Sequence, residues 1–284
     1  MTAHAAAPER VRRTWTPALV PAASVCLAAP VIFVVQVVWI GWILLAVAVA
    51  SAVVVDRRAG VPIVPTPRAA PVPSLARDVF LLALGQVAVS LIPLKAELDD
   101  AAFVRFTLGL GGAVVLPYVI SRFVFRDRAI RFPWRGGGRW AWWQWVWLVG
   151  VILPFYFVTS GVYMNWPVVD TPELIGRLFV GVGAVGIWDE LFFVCTVFVL
   201  LRRHFPDVTA NVLQAIVFVS FLWELGYQAW GPALTIPFAL VQGFLFLRTR
   251  SLWYVVTVHL LFDAVVFGVL VHAHNPGAVS IFLV

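Results

Sequence analysis

Cysteine and lysine are almost missing from this chain, and charge of either sign is scarce. The two cysteines, Cys26 and Cys195, both lie in apolar runs, which excludes a disulfide framework and a cysteine-rich metal centre. Each reads as a small buried hydrophobe. Only 12% of the 284 residues are charged, whereas 62% are hydrophobic, and the mean hydropathy is +0.95. So little polar surface cannot cover a soluble domain of this size, and the composition is that of a polytopic membrane protein with an all-α fold.

The net charge of +6 invites a nucleic-acid reading, but the placement of the charges argues otherwise. Of the 20 basic residues 19 are Arg, and they cluster at the ends of apolar runs and in short loops. That is a topological signal, with a generic attraction to anionic lipid head groups and no nucleic-acid partner.

A spanning helix needs ~20 mostly apolar residues at ~1.5 Å each. The sequence predicts spans over roughly 77–94, 102–121, 141–160, 174–201, 208–227, 232–248 and 252–273. The stretch 17–55 is too long for one crossing, and Pro30 within it breaks or kinks a helix. Arg10, Arg12 and Arg13 precede this stretch, and Arg57, Arg58, Arg68 and Arg77 follow it. Both groups face the cytoplasm only if the stretch crosses twice. The expectation is a bundle of nine spans with a cytoplasmic N-terminus, and 17 of the 20 basic residues on the cytoplasmic side. Eight spans, with 17–55 as one long or broken helix, is the alternative.

Three regions follow: residues 1–76, with membrane helices and a Pro/Arg-rich cytoplasmic linker over 56–76; residues 77–160, with accessory helices; and residues 174–275. The Arg before the first apolar run resembles a secretory signal, but no small-residue cleavage site follows, so the first helix is read as uncleaved. There is no internal repeat of the kind that builds an inverted-repeat transporter.

Against this apolar background five ionisable residues stand out: Asp189 and Glu190 in one span, Glu224 in a second, His259 and Asp263 in a third. A charge at membrane depth costs at least ~2.5 to 3.5 kcal/mol, so chains keep one there chiefly for function. On a regular helix Asp189 and Glu190 are ~100° apart, so one is expected to enter a site and the other to brace it. Glu224 and Gln228, four apart, are expected to share a helix face, as are His259 and Asp263, where the carboxylate can fix the imidazole tautomer.

The three segments, in this order, resemble the CPBP intramembrane protease family, which includes the type II CAAX-prenyl endopeptidases and the bacterial Abi-like proteins. The family carries paired glutamates followed four residues later by arginine, then FxxxH, then HxxxN or HxxxD. Here the first motif reads Asp189-Glu190-Leu191-Phe192-Phe193-Val194, the second Ser220-Phe221-Leu222-Trp223-Glu224, and the third His259-Leu260-Leu261-Phe262-Asp263. Asp189 replaces the leading glutamate, Val194 the arginine, Ser220 the phenylalanine and Glu224 the histidine, while Glu190 and the third motif match.

The resemblance implies an intramembrane endopeptidase, hydrolysing a peptide bond of a membrane-associated substrate and lodged in the bacterial plasma membrane. Asp189 would be the general base, Glu190 its neighbour, Glu224 the stand-in for a histidine, and His259 with Asp263 the remaining pair. Four carboxylates and one imidazole cannot all be ionised together without a compensating cation. Mixed oxygen and imidazole ligands from Glu224, His259 and Asp263 would permit a divalent metal, Zn, Mn or Fe. Two other readings of the same residues are a protease-derived scaffold that no longer hydrolyses, motivated by Val194 and Glu224, and a proton- or cation-coupled transporter.

Overall fold

The computed structural model describes residues 15–63, 72–135, 141–142, 145–146, 150, 166–229 and 231–277. Among them the fold is entirely helical. Helix α1 (Trp15–Ala29) runs through a wide turn at Pro30–Val34, and α2 (Val38–Arg58) returns beside it. There follow α3 (Leu75–Ser90), α4 (Asp100–Val119, extended by a wide turn to Val124), α5 (Pro172–Leu201), α6 (Asp207–Leu225), α7 (Pro232–Thr249) and α8 (Leu252–His274). All but α3 are long and apolar enough to cross a membrane, and the chain is an integral membrane protein. The expected span 141–160 lies almost wholly outside the described residues.

Local chemistry sets the helix ends. Ser74, Asp99, Thr171 and Ser251 each accept a backbone N–H of the first turn, satisfying a donor that the helix itself leaves without a partner. Pro172 supplies the preset φ of a first helical residue. Proline within a helix deletes an N–H and crowds the carbonyl of the preceding turn, which relaxes into a wider i→i+5 turn. Wide turns begin at Pro30 and three residues beyond Pro117, where α1 and α4 approach their ends. The stretch 17–55 thus forms two helices, with Gln36 in a left-handed conformation (φ 60°) at the corner.

The two ends of the bundle differ in charge. At one end Asp56 Oδ2 accepts Ser74 Oγ (2.7 Å) and the Ala76 amide (2.9 Å), which ties α2 to α3 across the Pro/Arg-rich segment. Arg203, after α5, joins Asp78 of α3 (2.9 Å) to Asp127 beyond α4 (2.7 Å), and His204 Nε2 stands 2.6 Å from Asp78 Oδ2. Arg203 thus clamps three segments through two buried carboxylates. At the opposite end Arg177 binds Glu173 (3.0 Å) and Asp100 (2.6 Å), and Arg105 binds Glu97. The start of α5 therefore lies with the start of α4, and its end lies with the end of α4.

Helix α5 is the central rod. The most apolar window of α5 is 72% buried, against 22% for α2 and 28% for α4, whose apolar side chains face outward. Helices α4, α6, α7 and α8 all pack on α5, so residues halfway along it meet side chains from every neighbour.

Candidate active site

Halfway along α5 the backbone changes register. Up to Asp189 it is α-helical, and from Glu190 to Phe198 it forms a nine-residue run of i→i+5 turns. Such turns advance less per residue than the ~100° of an α-turn and occur often at functional sites. Thr196 Oγ1 donates to the Leu191 carbonyl five residues back (3.0 Å), occupying an acceptor of the widened run. The consequence falls on the adjacent acids: both reach the same imidazole.

His259 on α8 is the meeting point. Its Nδ1 lies 2.7 Å from Glu190 Oε1 and its Nε2 lies 3.6 Å from Asp189 Oδ2, with Asp263 Oδ1 3.9 Å from Nε2 on the same helix face. All four side chains are buried. Glu190 Oε1 also accepts Gln242 Nε2 from α7 at 2.6 Å, and that same nitrogen donates to the Val255 carbonyl of α8 (3.0 Å). An oxygen that already accepts one N–H is an acceptor toward the ring as well, which places an imidazole proton on Nδ1 and turns Nε2 toward Asp189. Phe238 packs edge-on against the ring at 4.7 Å.

Two further contacts set the spacing. Trp188 Nε1 donates to the Leu110 carbonyl (2.5 Å) and its ring stacks on Phe192 at 5.1 Å, anchoring the turn that carries Asp189 to α4. Gly186, one turn before Asp189, lies directly against Asp263: a β-carbon there would overlap Asp263 Oδ2. The missing side chain at Gly186 leaves the space that the Asp263 carboxylate occupies against α5.

The polar cluster closes one side of an apolar cavity of about 240 Å³ between α4, α5, α6, α7 and α8. Asp189, His259 and Asp263 line it, whereas Glu190 does not. The lining is otherwise largely Phe, Leu, Val and Ala, and it reaches Glu97, Trp166 and Tyr227 at the acid-bearing end of the bundle. Asp189 Oδ1, Glu190 Oε2 and Asp263 Oδ2 are buried with no hydrogen-bond partner, and of these residues Asp189 and Asp263 line the cavity.

Of the five ionisable residues singled out in the sequence, four converge and Glu224 does not. Glu224 Oε1 accepts the Leu94 amide (3.2 Å), fastening α6 to the segment after α3, and Glu224 is absent from the cavity wall. The face of α6 toward the cavity is that of Leu222 and Leu225. The shared face expected for Glu224 and Gln228 also fails, because α6 stops at Leu225 and Gly226 turns the chain with φ 144°. The third arm of the polar site comes instead from Gln242. A lone carboxamide in the run Phe238–Phe246 was a visible signal, since a buried amide in hydrocarbon carries the same kind of penalty as a charge.

The three expected ligands Glu224, His259 and Asp263 are therefore not gathered around one point. Among the described residues no group of three or more His, Cys, Asp or Glu is arranged to hold a metal ion. His259 Nδ1 is already engaged by Glu190. The donor set as placed does not form a cation cage.

None of the curated proteins and none of the solved structures matches the chain. The family model described as Type II CAAX prenyl endopeptidase Rce1-like matches residues 171–265, which include Gly186, Asp189, Glu190, Gln242, His259 and Asp263. This stretch, from the cap of α5 into α8, is similar to the Rce1-like type II CAAX prenyl endopeptidases, the CAAX-type intramembrane protease family that the three motifs resemble.

Proposed function

We propose that the protein is an intramembrane endopeptidase that hydrolyses a peptide bond of a membrane-associated substrate in the bacterial plasma membrane. The observation that carries this reading is the facing of Asp189 and His259 Nε2 across 3.6 Å at the wall of an apolar cavity. A water held between them would give one proton to the Asp189 carboxylate and direct its other O–H to the Nε2 lone pair. The resulting hydroxide adds to the carbonyl carbon and the π pair moves to oxygen. Collapse of that oxyanion breaks the C–N bond, and Asp189 returns its proton to the departing nitrogen. Glu190 does not meet substrate in this scheme: with Gln242 it holds the imidazole in the tautomer that keeps Nε2 free. The dry walls of the cavity strengthen each of these interactions.

The test is a cleavage screen of the purified protein on peptides and prenyl-peptides, beside Asp189→Ala, Glu190→Ala and His259→Ala. Cleavage unchanged in all three removes the catalytic claim. Elemental analysis beside His259→Ala tests the expectation of Zn or Mn, which a stoichiometric ion lost in the variant would establish.

A further inference from the structure

The groups gathered around His259 are almost all acceptors. Three carboxylates supply oxygen lone pairs, and His259 uses its N–H on Glu190. Hydrolysis also needs a donor, because the carbonyl oxygen gains charge as the water adds, and in a low-dielectric cavity an oxyanion without a hydrogen bond is prohibitively costly. Among the described residues two donors that line the cavity have no partner, Thr235 Oγ1 and Trp166 Nε1. Trp166 stands at the far end, its ring 5.9 Å from Tyr227 and its Nε1 beside Gly226.

Thr235 is the better placed of the two. It is 2% exposed and belongs to α7, the helix that already supports the site. Residues 235, 238 and 242 recur at i, i+3 and i+7, one face of a helix. On that face Phe238 touches the imidazole and Gln242 holds Glu190. Thr235 is the next residue of the stripe, one turn, ~5 Å, from Phe238 toward the cavity interior. A threonine within a helix commonly turns its hydroxyl onto the carbonyl four residues back, as Thr249 and Thr257 do here. Thr235 makes no such bond. A buried hydroxyl left without a partner costs stability, which makes sense where a ligand completes it.

We propose that the Thr235 hydroxyl donates the hydrogen bond that holds the substrate's scissile carbonyl oxygen, making α7 the carbonyl-binding wall of the cavity. This rests on the endopeptidase reading and adds to it a group outside the three motifs. Thr235→Val keeps the shape and removes the donor; Thr235→Ser keeps the donor. In a cleavage assay Thr235→Val is expected to lower kcat about 10²-fold with KM little changed, the effect of losing one such donor, while Thr235→Ser stays within a few-fold of wild type. The thermal midpoint of Thr235→Val should be unchanged or higher, because an unsatisfied hydroxyl has been removed; a structural hydroxyl would lower it.

A second measurement does not depend on turnover. Two uncleavable forms of a Leu/Val-rich octapeptide, one with a ketomethylene and one with a trans-alkene in place of the central amide, are titrated in detergent micelles. Wild type is expected to prefer the ketomethylene about tenfold, a single hydrogen bond's worth, and Thr235→Val to lose that preference. Cleavage and preference both intact in Thr235→Val overturn the assignment and leave the endopeptidase standing. A Thr235-dependent preference in a protein that cleaves nothing keeps the carbonyl site and removes the hydrolase. Neither cleavage nor preference in wild type removes both.

Discussion

Asp189 and Glu190 are adjacent in the chain yet face opposite nitrogens of His259, Glu190 Oε1 at 2.7 Å from Nδ1 and Asp189 Oδ2 at 3.6 Å from Nε2. The close contact orients the ring and the looser one leaves room for a reactant. Their substitutions should therefore separate. Asp189→Asn is expected to lower kcat by about 10²- to 10⁴-fold, the range for a lost general base, with an unchanged thermal midpoint. Glu190→Leu should cost activity and stability together, since the ring loses its orienting acceptor and Gln242 its partner. Equal thermal midpoints for the two variants would refute this division.

Gln242 links α7, Glu190 and the α8 backbone through one nitrogen. Gln242→Leu leaves the Glu190 oxygen and the Val255 carbonyl short of a donor in a buried site, a loss of about 1.5 to 3 kcal/mol for a hydrogen bond to a charged group. Reversible denaturation in mixed micelles reads this directly, and a change below about 0.5 kcal/mol would contradict the contact.

Gly186 and Gly183 offer a matched pair on one helix. A β-carbon at Gly186 would overlap Asp263 Oδ2, whereas at Gly183 its closest neighbour is Leu260 Cδ2 at 4.0 Å. Gly186→Ala should displace the Asp263 carboxylate from its place beside His259 and cut cleavage more than about tenfold, consistent with the sensitivity of catalysis to ~1 Å misplacement. Gly183→Ala should be indistinguishable from wild type in cleavage and helical circular dichroism. Parity of the two variants would sink the packing argument.

Glu224 is the control among the acids. Its partner is the Leu94 amide. Glu224→Gln retains an acceptor for that amide, so cleavage within about threefold of wild type and a stability change under about 1 kcal/mol are expected. An ion flux in liposomes that vanishes with this substitution would instead favour a coupled transporter.

At the Arg-bearing end, Arg203 is shared by the buried carboxylates of Asp78 and Asp127. Arg203→Met strips both of their cation, and breaking a buried pair in this way typically costs about 3 to 5 kcal/mol. The double replacement Asp78→Asn with Asp127→Asn on the Met background should recover part of it. No recovery would mean that packing of the arginine stem, not charge, holds α3, α4 and α5 together.

Much was legible before any coordinates. The penalty for a polar group at membrane depth is a property of the residue and its local sequence, so Asp189, Glu190, His259 and Asp263 could be picked out by composition alone. The i,i+4 spacing put His259 and Asp263 on one face, and the arginines that flank the stretch 17–55 called for two helices there, as observed, with the corner at Gln36 and not at Pro30. The place of Glu224 was not legible in this way, because the stop at Gly226 and the rotation of α6 that turns Leu222 and Leu225 to the cavity depend on packing.

The chain's composition determined a helical membrane protein and the set of side chains too costly to bury without purpose, since both follow from transfer free energies summed residue by residue. Tertiary structure alone decided that two sequence neighbours flank one ring, that Gln242 joins them, that Gly186 admits Asp263 and that Glu224 stays away. Each of these depends on how far a helix is turned about its own axis and where its turns widen. In a bilayer, where lipid is as apolar as leucine, only close packing against neighbouring helices settles that angle.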